Sequence, residues 1–313
     1  MTAMETSSLL LDLYFKSGIR QGALVGDVNR QQHAVTASTL WGGAGWSAAS
    51  LFGPERTEEI IRNCCMSSLL WKRGSDWFIP APVFAGLCFA HEDRKAFRKR
   101  RWVPLNSLSG LFSGILPADE QEPLFVEEAS VSAAIDRGTN AALPFTRRCI
   151  KPGRNVTGAI LLQGPDEMLG DLQSAFRFLG DTGLGGERSS GWGAFSVNTV
   201  PQTENPFAGS LCNKGYRYLT LGALLPGPLE VQQLSTMDQP RGYALWKVRG
   251  YVGDTDVIKP TVTCLGHGAL LSFRPRGRVI DITPPKTGHP VLFNGMAPSI
   301  AIDVFQKKGG ARQ

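Results

Sequence analysis

The sequence predicts a mixed α+β protein built from two domains, on three observations. At 313 residues the chain is too long for one small domain and suits two of ordinary size. Its composition, 42 % hydrophobic and 19 % charged, is that of a globular chain. Strand-length runs alternate with helical periodicities up to residue 200; beyond a polar, turn-rich stretch at 201–213 the apolar runs are strand-length. The predicted division is therefore 1–205 and 206–313.

Residues 10–16 alternate apolar and polar, with Leu11, Leu13 and Phe15 on one face of a first strand. A loop rich in Gly, Gln and Arg follows. Residues 36–52 carry small side chains with Leu40, Trp41, Trp46 and Leu51, which predicts a helix packed closely on a sheet. Residues 56–65 read as a second short helix. Residues 67–71 and 77–79 read as strands around a turn at Gly74, and Pro80-Ala81-Pro82 ends that unit. From 91 to 144 no period is sustained, so a long, partly mobile loop insertion is expected at about 90–145. Residues 157–162 form another strand. Asp166 then reads as the N-cap of a helix with Leu169, Leu172, Phe176 and Leu179 at helical spacing. Residues 192–200 read as a strand. In the second half, strands are expected at 216–225, 243–251, 269–273, 278–282 and 291–293, with a closing segment near 298–305. No repeat period links the halves.

Residues 180–195 carry the strongest functional signal. Six glycines fall in sixteen positions, with Arg188, Ser189, Ser190 and Trp192 among them. Glycine reaches positive φ and admits close backbone approach, successive N–H groups of such a loop can hold an anion, and Arg188 adds a planar cation suited to phosphate. The order is helix, glycine loop, strand. Dinucleotide folds and P-loops use the opposite order, strand, loop, helix, so both are set aside. Two readings stay open on spacing alone: an RNA-backbone site, and a tight turn with no ligand.

The net charge is +6 and the pI about 9.1, unevenly distributed. From 94 to 101, six of eight residues are basic: Arg94, Lys95, Arg98, Lys99, Arg100 and Arg101. From 119 to 128, five of ten are acidic. Such asymmetry suits one surface for nucleic acid and another for a protein. On a helix Arg94, Arg98 and Arg101 would share a face, and Trp102 would be placed to stack on a base; the other reading is a solvated cationic face. Asp136 and Arg137 form an adjacent pair, with Arg147, Arg148, Lys151 and Arg154 close behind. They read as a local salt link, or as an arginine on RNA oriented by its aspartate.

Six unpaired-looking cysteines, and the lack of a signal region or a membrane-length apolar run, predict a cytoplasmic protein with reduced thiols. Only four histidines occur: His33, His91, His267 and His289. His33, beside Arg30, is the best candidate for general acid–base chemistry, with no second catalytic group evident. Cys264 and His267 have C-x-x-H spacing without a second ligand pair. No metal and no cofactor are expected.

The segment Gly183-Leu184-Gly185-Gly186-Glu187-Arg188-Ser189-Ser190-Gly191-Trp192-Gly193-Ala194-Phe195 resembles the glycine-rich loop of the RAMP superfamily of CRISPR proteins. Gly22 with Ser38-Thr39-Leu40-Trp41, Phe78-Ile79-Pro80-Ala81-Pro82, Ile135-Asp136-Arg137 and His289-Pro290-Val291 resemble further segments of one branch. That branch is the subunit of type III-A (Csm-type) interference complexes that caps the guide RNA 5′ end. Ser38 stands where that family usually has Asp, a Lys between the prolines is missing, and Gly138-Thr139 replaces its Thr-Gly.

The resemblance implies two ferredoxin-like (RRM-like, βαββαβ) domains, the first carrying the insertion. It implies no catalysis, binding of the repeat-derived 5′ handle of the crRNA, contact with the large polymerase-like subunit and the RAMP backbone subunit, and indirect contact with target RNA. The RNA-binding set expected is Gly183, Gly185, Gly186, Arg188, Ser189, Ser190, Gly191, Trp192, Asp136, Arg137, Arg94, Lys95, Arg98, Lys99, Arg100 and Arg101. The rival readings are a metal-independent RAMP-type endoribonuclease using His33 or His91, the equivalent subunit of another type III subtype, and a general single-strand RNA binder.

Overall fold

The computed structural model describes residues 7–302 apart from 25–26, 32–33, 84–88, 90, 119–121, 214, 216, 237–241, 254 and 286. The first half runs β1 (Ser7–Phe15), β2 (Gly22–Leu24), β3 (Asp27–Gln31), α1 (Ala37–Phe52), α2 (Pro54–Asn63), β4 (Cys65–Met66), β5 (Leu70–Arg73), β6 (Asp76–Pro80), α3 (His91–Lys99), β7 (Trp102–Pro104), α4 (Leu108–Phe112), β8 (Phe125–Ile135), β9 (Ala142–Pro152), β10 (Val156–Gly164), α5 (Asp166–Thr182) and β11 (Phe195–Thr199). The second runs α6 (Ala208–Cys212), β12 (Arg217–Thr220), α7 (Pro228–Ser235), β13 (Leu245–Val248), β14 (Val262–Leu265), β15 (Leu270–Leu271), β16 (Val279–Asp281), β17 (Leu292–Asn294) and β18 (Ser299–Ile302).

The main sheet is antiparallel, in the order β11-β1-β10-β5-β6-β7, with β4 also on β10. Helices α1 and α5 pack together on it. Leu40, Trp41 and Ala44 of α1 and Leu172, Phe176 and Leu179 of α5 are buried in one core with Leu11 and Leu13 of β1. Each large apolar side chain contributes about 1.5–3 kcal/mol. The small residues of α1 explain the close approach: a Cβ at Gly43 would stand 2.8 Å from a Leu179 methyl. The expected tight helix is thus observed. Asp166 is the first residue of α5 rather than its N-cap; Pro165 occupies the cap.

The second half contains a three-stranded sheet, β15-β12-β18, and the two-stranded ribbons β13-β14 and β16-β17. Its residues Leu219, Leu221, Leu270 and Ile300 join the same core as the first half. Phe207, fully buried, meets Trp77 edge-on at 5.7 Å. Asn294 Nδ2 donates to the carbonyls of Ile61 (2.7 Å) and Cys64 (2.8 Å), closing the end of α2.

Three expectations need correction. The segment read as a loop insertion is largely regular: α3, β7 and α4 occupy its first part, and β8 and β9 pair over eleven residues each. That ribbon stands in solvent, with residues 126–131 and 142–146 exposed, so no buried face imposes a period of two on its sequence. Trp102 is buried at 6 % exposure, edge-on to Trp71 at 6.4 Å, and offers no ring face to a base. Finally, the basic run does not lie on one helix face, because α3 ends at Lys99 and leaves Arg100 and Arg101 beyond it.

His267 packs against Trp246 (4.6 Å between ring centres) and Trp102 (5.6 Å), with its Nδ1 buried and unpartnered among the described residues. Burial pulls its pKa down from 6.5 to about 4. The imidazole is therefore neutral in the fold while the unfolded chain protonates below pH 6.5. Stability is full above that pH and falls as pH drops toward 4. From pH 8 to 5 the loss is about 2 kcal/mol. Urea melts at both pH values should show it, and His267→Gln should flatten the difference.

Candidate nucleic-acid interface

The sheet's topology gathers a site at one end, where β1 finishes and β10 and β11 begin. After β1, Ile19 bridges Ile150 at the foot of the β8-β9 ribbon, and Arg20 bridges Gly186 of the glycine loop. The loop leaves α5 through Gly183 (φ 89°), whose N–H donates to Leu179 O at 2.7 Å. Leu184 is buried, and its N–H donates to Gly193 O at 2.9 Å. Gly186 N–H donates to Arg20 O at 2.8 Å and Gly193 N–H to Gly18 O at 2.8 Å. A Cβ at Gly185 would stand 2.3 Å from Arg20 O, and one at Gly183 2.4 Å from Trp192 O. These glycines exist for close backbone packing.

The expectation of a continuous N–H cradle is accordingly corrected. The Gly183 amide is spent on the end of α5, and those of Gly186 and Gly193 on the segment after β1, to which the loop is stitched. Among the described residues, no acceptor takes the N–H of Gly185, Glu187 or Ser189. Ser189, Ser190 and Gly191 are exposed, in a short 3-10 turn over Arg188–Ser190. Trp192 is half-buried.

Glu187 is the hinge of the loop. It adopts left-handed φ 63°, uncommon for a side-chain-bearing residue. Its carboxylate accepts a hydrogen bond from Arg20 and forms an ion pair with Arg147 of β9 at 3.2 Å. Next to it, Arg188 lays its guanidinium 5.1 Å from the ring centre of Trp46 on α1, and Trp46 stacks on Phe178 of α5 at 5.8 Å and 21°. Two guanidiniums thus share the Glu187 carboxylate, and a third, that of the next residue, lies over Trp46 at this end of the sheet.

The other predicted residues lie elsewhere. The run from Arg94 to Arg101 leads into β7, at the opposite sheet edge from β11. Five strand spacings separate those edges, about 24 Å. Lys95, Arg98, Lys99 and Arg101 are exposed, whereas Arg94 Nε donates to Phe89 O (2.8 Å) and Arg100 to Ala118 O (3.0 Å). Arg137 is exposed at the tip of the β8-β9 ribbon. Asp136 shapes that tip: its Oδ1 accepts from the N–H of Gly138 and Thr139, both 2.8 Å. Those bonds hold its carboxyl below the usual range. The aspartate orients the turn, not the arginine. His33 lies outside the described residues, as does the side chain of His91. No group of three or more His, Cys, Asp or Glu residues suited to a metal occurs among the described residues. Nor is any described helix long and apolar enough to cross a membrane.

A family model for the RAMP superfamily matches residues 23–196, more than half of the chain. The chain belongs to the RAMP superfamily. A second family model, the CRISPR Csm4 C-terminal domain, matches residues 213–302 of this RAMP protein. Curated relatives named CRISPR system Cms protein Csm4, from two strains of Mycobacterium tuberculosis, are 24 % identical over 259 residues, covering 79 % of this chain and 83 % of theirs. Among solved structures, a Csm1-Csm4 cassette in complex with pppApA contains a chain similar at TM-score 0.64 and 16 % identity, over 96 % of this chain and 100 % of that one. A Csm3-Csm4 subcomplex of the type III-A interference complex gives TM-score 0.63 at 16 % identity, over 94 % and 99 %. A type III-B Cmr-beta complex bound to cognate target RNA is more distant, at TM-score 0.51 and 11 % identity, over 85 % and 86 %. These likenesses establish the fold.

Three residues of the RAMP protein's site were not singled out by sequence: Arg20, Glu187 and Trp46. Arg20 and Glu187 are 167 residues apart, and no local pattern announces such a pair. Trp46 did carry a signal. It is a large aromatic on a helix otherwise faced with small residues, and it remains 38 % exposed.

Proposed function

We propose that this RAMP protein is a non-catalytic, cytoplasmic RNA-binding subunit of a type III CRISPR effector complex. It holds the 5′ handle of the crRNA and joins the large polymerase-like subunit to the RAMP backbone subunit, meeting target RNA only indirectly. The observation that carries the reading is the gathering of three arginines at the glycine loop, Arg20 and Arg147 on Glu187 and Arg188 on Trp46, beside the exposed turn Ser189-Ser190-Gly191. Phosphate fits such a site, through guanidinium donors and the amides of Gly185, Glu187 and Ser189. The partners follow from the company kept by similar chains in the Csm1-Csm4 and Csm3-Csm4 structures. Arg137 on its ribbon and the exposed cations of the 94–101 run extend the path of the strand.

The fold we propose is a pair of ferredoxin-like domains, 1–205 and 206–313. In the first, β1-α1-β5-β10-α5-β11 with sheet order β11-β1-β10-β5 supports it.

The test is binding of a repeat-derived handle RNA against a scrambled RNA of equal length. Arg188→Ala should weaken handle binding about tenfold, the value of one charge-assisted contact. It should also shallow the slope of log K against log salt by about 0.7. Equal affinity for both RNAs would reduce the protein to a general single-strand binder. Metal-independent cleavage of the RNA, lost in His33→Ala, would make it a nuclease.

A further inference from the structure

Trp46 lies on α1, far in sequence from the glycine loop, yet its ring is the surface against which the loop's arginine rests. Phe178 of α5 supports the ring in a near-parallel stack (5.8 Å, 21°), and the Arg188 guanidinium sits 5.1 Å from its centre. The indole is 38 % exposed in a helix whose neighbouring positions Gly42 and Ala49 are small and exposed. An open shelf therefore borders the turn Ser189-Ser190-Gly191. Exposed indole surface beside an arginine, with Arg20 and Arg147 on the neighbouring Glu187, matches the two parts of a nucleotide. The charge takes the phosphate, and the indole takes the flat face of an unstacked base.

We propose that the exposed part of the Trp46 indole, held in place by Phe178 and Arg188, is a base-stacking platform for one unpaired nucleotide of single-stranded RNA. The platform deepens the handle-binding reading and rests on it. It recognises a base's π-face rather than its edges, so it is indifferent to base identity and sets register only.

The experiment uses the full chain and a set of handle RNAs, each with one abasic nucleotide, walked along the strand. In the wild-type protein one abasic position should weaken binding about 5- to 150-fold, the range for loss of one base–aromatic stack. Trp46→Ala should bind the intact RNA that much more weakly and lose all sensitivity to that position, the coupling expected when both changes remove one contact. Trp46→Phe should restore most of both. The salt slope should be the same in the wild type and in Trp46→Phe, which keeps a ring beneath the Arg188 guanidinium. If the wild type binds handle RNA with its salt dependence but every abasic position costs the same in wild type and Trp46→Ala, the platform is wrong and the handle reading stands. If the wild type does not bind handle RNA, both are wrong.

Discussion

Gly193→Val should unfold the glycine loop and cost the protein more than about 4 kcal/mol, the largest loss expected from any single change in the site. Gly193 has φ 74°, where a β-branched residue pays about 1–2 kcal/mol in backbone strain alone. The larger penalty is steric. A Cβ there would stand 2.0 Å from Leu184 O and 2.6 Å from Leu184 N. Neither atom can retreat, because Leu184 N–H is bonded to Gly193 O and the Leu184 side chain is buried in the core. Gly193 itself is held by its N–H bond to Gly18 O. Gly191→Ala is the matched control. It has φ 80° but nothing within 4 Å of the added Cβ, so it pays backbone strain only. Thermal melts should put Gly193→Val about 8 °C or more below the wild type, and Gly191→Ala between the two. Equal melting of the two variants would mean that Gly193 and Leu184 do not cross as closely as described.

How far the sequence could be read depends on what each segment buries. α1 and α5 were legible because each lays an apolar stripe on the sheet, and β1 and β10 because buried runs of Leu, Ile and Ala line the core. α7 was missed because none of its eight residues is buried, so no period of 3.6 marks it. Its only written signals are Pro228 at the first turn and Glu230, whose carboxylate accepts the Gly227 N–H at 2.6 Å. The β8-β9 ribbon was missed for the same reason, being wet on both faces over most of its length. Trp102 shows the converse error: a tryptophan after a basic run looks like a base-stacking residue, but β7 places it inside the sheet's core.

The glycine loop divides differently. Its place, its order between helix and strand, and Arg188 were all legible. The use of the Gly186 and Gly193 amides was not, because their acceptors, Arg20 and Gly18, come from the other end of the domain. The same distance hid the charge pairing. Arg147 stood in a basic stretch with Arg148, Lys151 and Arg154, and nothing local told which of them would turn inward. The register of β9 decides it: Arg147 is half-buried against Glu187, and Arg148 is exposed.

Glu187→Gln should separate the loop's stability from its affinity for RNA, moving them in opposite directions. The Glu187 side chain is 24 % exposed, and those of Arg20 and Arg147 are 15 % and 23 % exposed, so this is a partly buried triad. Neutralising its only anion leaves two guanidiniums facing each other without a counter-charge. Breaking a fully buried pair in this way costs about 3–5 kcal/mol, and residual solvent here brings the loss to about 3. Because Gln keeps the size and the left-handed φ, that loss is electrostatic. Glu187→Gly, which also relieves the φ of 63°, should recover up to about 1 kcal/mol of it. For a polyanion the consequence is reversed. The local charge becomes more positive by one, and Arg20 and Arg147 are released toward phosphate. The salt slope of handle binding should steepen by about 0.7 for each guanidinium that gains a phosphate. Affinity at low salt should rise several-fold while the melting temperature falls. A purely structural triad predicts that both fall together, with an unchanged or shallower slope. That result would remove Arg20 and Arg147 from the RNA path and leave Arg188 as the loop's one contact.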